Sequence, residues 1–394
     1  MEEFEIEPVK SRRLGFLDVS VLWLDLAIGL LVFQAGALLF PGLGIWEILL
    51  VSITGSLIGS LILALTGIPG TRMGVPTMVS LRPFLGDAGS YLPTVLNVVQ
   101  LIGWTAFEIF IMAEAAFSVT GLDRALWVLF FSVWCMLMAL WGPLAVVRHY
   151  IEKFAVWAAL AVTIWLAYQT IPRIPSYSPQ GMPLLYAMDL VVAMPISWWP
   201  LISDYNRFAK SVKASVLGTV AGYTIANTWY YFLGAAMAAA TGQVLTPAAI
   251  AMLYFGPIAL LPIIVDETDN AWADIYSTAM SVKNILPRAS GRKLVVIATI
   301  AGGALAFLFS PEVYEWFLLF IGASFVPLSG ALISDFLLKK EERRRKLRPE
   351  SLASWVLGIV TYFLVVSYLP WLGATLPSFF VSFAVQQVLG RLVR

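Results

Sequence analysis

The chain is short of the residues that carry most covalent and metal chemistry. Cys135 is its only cysteine and His149 its only histidine. That excludes an intrachain disulfide, a cysteine metal site and a histidine cluster, and it argues against a Ser-His nucleophilic pair. Charge is scarce as well: Asp, Glu, Lys and Arg make up 12% of the chain, and the net charge is +1. The net charge says nothing about partners, and no nucleic-acid partner is expected. What the chain has instead is apolar. Hydrophobic residues are 60% of it, and the mean hydropathy is +0.84. A soluble domain could not cover that much apolar surface with so few polar residues. Apolar runs of about 20 residues recur from end to end, each long enough to cross a hydrocarbon core of roughly 30 Å. The composition therefore predicts an all-α polytopic membrane protein whose first partner is the lipid bilayer.

Twelve spans are expected, with cores near 18–39, 45–66, 91–117, 125–143, 150–170, 184–203, 214–240, 258–284, 294–310, 314–334, 352–369 and 374–390. With the N-terminus in the cytoplasm, 23 of the 25 Lys and Arg fall in the N-terminal tail, the inner loops and the C-terminus, leaving Arg124 and Arg173 outside. That asymmetry is the positive-inside pattern, and it places both termini in the cytoplasm of a cell-membrane protein. The run KKEERRRK (339–346) is the clearest cytoplasmic marker. The polar start MEEFEIEPVKSRR gives no sign of a cleavable signal peptide. The stretch 246–264 could pass as a further span, but it reads better as an outer-loop helix leading into the eighth.

Two spans are interrupted. The first, WLDLAIGLLVFQAGALLFPGLG, has Gly29 near its middle; the sixth, MDLVVAMPISWWPLISDYNRF, contains Pro195 and Pro200. Proline removes a backbone donor and clashes with the preceding turn. Broken backbone in a membrane is tolerated where protein, ion or substrate satisfies it. Gly/Pro interruptions at matching positions of two halves point to a transporter's central site.

The eighth span is the most polar, because IIVDETDNAWADIYST holds Asp266, Glu267, Asp269 and Asp274. A carboxylate at mid-bilayer costs roughly 2.5–3.5 kcal/mol, so four facing lipid would cost about 10 kcal/mol or more. They must face a cavity, a cation or a partner. At 100° per residue, Asp266, Asp269, Ala273 and Tyr276 share one face, and Glu267, Asn270 and Asp274 lie on the next. Lys283 marks the inner end, which puts Asp274 deep and leaves Asp266 and Glu267 toward a solvated outer vestibule. The third span carries Glu108 near its centre, four residues after Trp104. Indole and carboxylate then share a helix face, an arrangement suited to a flat heterocycle.

The stretch GIPGTRMGVPTMVSLRPFLGDAGSYLPTVLNVVQLIGWTAFE (67–108) resembles the nucleobase:cation symporter-1 family, the permeases for cytosine, purines, uracil, allantoin and hydantoins. The matching elements are Gly74-Val75-Pro76, Arg82, Gly86, Gly89-Ser90, Pro93 and Gly103-Trp104. LISDYNRFAK (201–210) and DIYSTAMSVKN (274–284) match as well. The wording is most similar to the cytosine and hydroxymethylpyrimidine branch.

The resemblance implies a LeuT-like fold: two inverted five-helix repeats, here 18–172 and 173–334, then a basic cytoplasmic loop at 335–351 and two extra helices in 352–394, all preceded by a cytoplasmic tail of residues 1–17. It implies a substrate site drawn from Trp104, Glu108, Gly29, Ser197, Trp198 and Asp274, with Trp199 a weaker candidate. Glu108 stands where an amide is usual, so it is read as an acceptor for an aminopyrimidine, as the partner of a protonated ring, or as a proton carrier. A Na⁺ site is implied at Ala27, Thr268 and Asp269, with Asp269 as a proton carrier if the ion is H⁺. Asp204 and Arg207 are read as a structural ion pair.

The expected protein is therefore a secondary active transporter and not an enzyme. It needs no cofactor beyond a coupling Na⁺ or H⁺, takes a small heterocyclic substrate and works as a monomer. An amine or amino-acid symporter of the same fold is the alternative.

Overall fold

The computed structural model describes residues 2–242, 260–309, 314–338 and 345–393. The stretch 246–259 and most of the basic run, 339–344, lie outside the described residues.

Helices begin and end close to the expected boundaries because apolar runs bounded by Gly, Pro and charged residues leave little choice in lipid. The first span is split into α1 (Phe16–Asp25) and α2 (Leu30–Ala37), whose axes differ by 64°. Then come α3 (Ile45–Thr66), α4 (Tyr91–Thr120), α5 (Arg124–Trp141) and α6 (Val156–Thr170), the last preceded by a π-helical stretch, Val147–Ala155. The sixth span comprises α7 (Leu184–Ser197), a 3₁₀ turn at Trp199–Leu201 and α8 (Ile202–Asn206), and it runs on as one span without so sharp a bend. There follow α9 (Val212–Thr241), α10 (Leu260–Ile285), α11 (Gly291–Leu308), α12 (Tyr314–Leu337), α13 (Pro349–Tyr368) and α14 (Thr375–Leu392).

Among the described residues seven helices are long and apolar enough to cross a membrane, or nine when each bent pair is one span. The remaining three expected spans are α9, α10 and α14. They are of sufficient length but more polar.

Small residues bring the broken first span against α9. A Cβ on Gly222 would overlap the Ser20 carbonyl, one on Gly234 the Phe33 carbonyl, and one on Gly36 the Tyr231 backbone. Close backbone approach of this kind is how helices associate where lipid supplies no hydrophobic drive. Side-chain hydrogen bonds add to it: Asn227 Nδ2 donates to Ser56 Oγ at 2.9 Å, between α9 and α3. The acidic helix α10 packs along α4, in the centre of the bundle.

The family-like loop segments are scaffolding. Arg82 donates to the Asn284 side chain and carbonyl at 2.8 and 2.9 Å. The expected Asp204–Arg207 ion pair is not formed. Asp204 Oδ1 accepts from the Thr77 backbone N–H at 2.9 Å. Arg207, fully buried, turns the other way, to the Glu3 and Glu5 carbonyls and the Tyr276 hydroxyl. The N-terminal tail is thus folded onto the helix ends, where Lys283 also pairs with Glu5 at 2.8 Å. The physical reason is unmet carbonyls: an irregular tail pressed against helices needs donors, and a guanidinium supplies several in one plane.

Candidate functional site

The site begins at the break in the first span. α1 ends at Asp25, and α2 starts at Leu30, so the residues between are unwound. The first N–H groups of α2 have no intrahelical partner. α10 supplies one: Leu30 N–H donates to Glu267 Oε2 at 2.9 Å. A carboxylate there also meets the positive end of the helix dipole. Just before the break ends, the Ile28 carbonyl accepts from Asn270 Nδ2 at 3.1 Å. Glu267 is fully buried, which corrects the expectation of a solvated vestibule. The side chain of Asp266 lies outside the described residues. Gly29 sits between these groups because a Cβ there would come within 3.1 Å of both Asn270 Nδ2 and Glu267 Oε2.

Glu267, Asn270 and Asp274 lie at helical spacing on one face of α10. Farther along that face Asp274 reaches a cavity of about 40 Å³. Gly29, Trp104, Glu108, Ser197, Trp198 and Asp274 all line it, so every residue expected at the substrate position meets there. Leu26, Leu31, Val32, Met194 and Leu201 form its apolar walls, and Asn270 completes it. The Trp104 ring is braced edge-on by Phe317, with centroids 5.2 Å apart. Trp198 meets Trp23 edge-on at 6.3 Å. Trp199, the weaker candidate, is buried elsewhere and donates to the Phe325 carbonyl at 2.9 Å.

Asn270 was not anticipated, although it sits in the same DETDNAWAD run and its i+4 partner was. Its signal in the sequence is the helical spacing from Glu267.

The residues expected at an ion site are placed less tightly. Ala27 is buried in the unwound segment. The Thr268 hydroxyl points to Met138 Sδ on α5, at 3.8 Å. Asp269 accepts from Trp272 Nε1 at 3.1 Å, and the buried Asp25 carboxyl lies beside it. Asp25 is the acid the sequence reading passed over. It is 1% exposed, and an acid one turn before a glycine break was the available signal. Among the described residues no group of three or more His, Cys, Asp or Glu is arranged to hold a metal ion.

Residues 6–348 match the family described as permease for cytosine/purines, uracil, thiamine, allantoin. Cytosine permease of Escherichia coli (strain K12) is 26% identical over 340 residues, covering 84% of this chain and 80% of that protein. Hydantoin permease of Microbacterium maritypicum is 23% identical over 395 residues, covering 91% and 79%. Among solved structures, Mhp1, a nucleobase-cation-symport-1 family transporter in a closed conformation with bromovinylhydantoin bound, superposes with a TM-score of 0.81 at 20% identity, covering 100% of this chain and 95% of that one. A Na⁺-coupled sialic acid symporter in a substrate-bound outward-open state follows at 0.69 and 13% identity, covering 97% and 90%. At these identities the structures speak for the fold, and the fold is LeuT-like.

Proposed function

The chain belongs to the family of permeases for cytosine/purines, uracil, thiamine and allantoin, and from that premise we propose that it imports a nucleobase or related pyrimidine by symport with Na⁺ or H⁺ through alternating access. That it is a multi-pass membrane transporter and not an enzyme follows from the family and the fold. The finer reading is supported by one observation above the others. An indole, two carboxylates and the end of a broken helix converge on one cavity at the centre of the bundle. Trp104 offers a face for a flat ring, and Glu108 and Asp274 offer acceptors for its N–H edge. The relatives' names point the same way: cytosine and hydantoin are flat N–H heterocycles.

For the coupling ion, the Asp25–Asp269 contact and the carbonyls near Ala27 are the candidate groups, with Thr268 beside them. The protein is proposed to act as a monomer in the cell membrane with both termini in the cytoplasm. The test is uptake of labelled cytosine, hydroxymethylpyrimidine, uracil, adenine and hypoxanthine into proteoliposomes, with Na⁺ and pH gradients imposed separately. Accumulation of at least one base under one gradient is expected. Failure of all of them beside gradient-driven uptake of an amine or amino acid would replace this reading with the alternative.

A further inference from the structure

The transport reading concerns the ligand's shape; the polar atoms around the cavity concern its charge. Glu108 and Asp274 both line the cavity, and each is only 3% exposed. Glu108 Oε2 has no hydrogen-bond donor among the described residues. No Lys, Arg or His is among the lining residues.

The side-chain amide and hydroxyl at the cavity each donate to a backbone carbonyl. Asn270 Nδ2 is held by the Ile28 carbonyl, and the Ser197 hydroxyl donates to the Met194 carbonyl at 2.7 Å. Asn270 Oδ1 is left without a donor. Its orientation is forced, because the reversed amide would set Oδ1 against the Ile28 carbonyl oxygen. Besides the indole groups of Trp104 and Trp198, the cavity therefore presents mostly acceptors: the Glu108 and Asp274 carboxyls and Asn270 Oδ1. Buried charges need a partner of opposite sign, and a carboxylate pairs best with a delocalised N–H cation. An indole face in the same cavity favours a cation too.

We infer that the cavity takes its ligand as a cation: a flat heterocycle carrying delocalised positive charge and at least two N–H donors, such as a ring-protonated amino-heterocycle, in preference to a neutral ring of the same shape that presents a carbonyl. This rests on the transport reading for the site itself and adds the charge and donor pattern of what fills it. Glu108 and Asp274 meet the positive ring from two helices, α4 and α10, and Asn270 Oδ1 accepts a further N–H.

The test uses a matched pair, 4-aminopyridine, which is a ring-protonated cation at neutral pH, and 4-pyridone, which is neutral and has a carbonyl where the other has an amino group. Binding is read by quenching of tryptophan emission on the full chain in lipid nanodiscs at constant pH. The cation is expected to bind at least about tenfold more tightly. In Glu108→Gln and in Asp274→Asn that preference should shrink toward unity. Equal binding of the two rings, or tighter binding of 4-pyridone, overturns the inference. So does a preference that persists unchanged in both variants. If a variant does not fold, the wild-type comparison alone decides. No binding of either ring also overturns it, while uptake of a labelled base by the same preparation shows that the transport reading survives.

Discussion

Glu267 is the place where the helix break and the acidic run can be tested together. The Leu30 N–H lies in the fully buried start of α2, and its acceptor is Glu267 Oε2 at 2.9 Å. Glu267→Leu keeps the bulk of the side chain and removes the acceptor. A buried donor left unsatisfied costs about 1–3 kcal/mol. Against that, the other carboxyl oxygen, Oε1, already lacks a donor, and its removal returns part of the cost. The net destabilisation should be about 1–2 kcal/mol. Glu267→Gln keeps one acceptor oxygen, so its cost should stay below about 1 kcal/mol. The assay pairs the thermal midpoint in detergent with initial uptake in proteoliposomes. We expect Leu to lower both and Gln to leave both close to wild type. If Gln damages uptake as much as Leu does, the acceptor is not what matters and the carboxyl itself is needed. If Leu changes neither quantity, the break is not held by Glu267.

Three further outcomes follow from the same structure. Trp104→Ala should lose roughly 1–3 kcal/mol of substrate binding, by analogy with base–aromatic stacking, measured by displacement of a labelled base; wild-type affinity in a folded variant removes the stacking role. Gly222→Ala puts a Cβ onto the Ser20 carbonyl and 2.8 Å from Leu24 N, backbone atoms that cannot rotate away, and should destabilise the protein by about 1–3 kcal/mol, whereas Gly15→Ala, with its nearest atom at an ordinary 3.6 Å, should not; equal unfolding midpoints for the two would refute the close-packing account. Asp269→Asn should weaken Na⁺ binding and, by linkage, substrate affinity if the ion is Na⁺, or keep counterflow exchange but lose pH-driven accumulation if it is H⁺; normal accumulation under both gradients takes Asp269 out of the coupling.

Much of this architecture was legible because lipid narrows the possibilities. A span must be helical and about 20 residues long, so apolar runs found α3, α4 and α13 to within a few residues. The site was legible where residue type and helical spacing carry the information, as with Trp104 and Glu108 on one face of α4. It was not legible where the partner is backbone. Nothing in a sequence says that a glutamate on the eighth span will accept from Leu30 N–H, because a backbone N–H looks the same at every position. The vestibule expected for Glu267 failed for that reason. Asp204 and Arg207 failed likewise: opposite charges three residues apart suggest a pair, yet the Thr77 N–H and the tail carbonyls are the partners they have.

The acids of the eighth span have separate employments, and the division follows from where backbone is broken. A continuous helix satisfies its own groups, so α4 and α9 need no help from neighbours. A break exposes donors and acceptors in a place without water, and the nearest rigid element must answer them. α10 does so with Glu267 on the Leu30 N–H and Asn270 on the Ile28 carbonyl. Asp274, on the same face, meets the cavity instead. One helix therefore touches both the unwound segment and the place where a substrate would lie, and Asn270 does both with a single amide. A ligand that draws on Asp274 or Asn270 Oδ1 acts on the element that holds the break closed, with no intervening chain of contacts to carry the effect. The helix that looked least suited to a membrane is polar because it stands in for the water and backbone that its broken neighbour lacks.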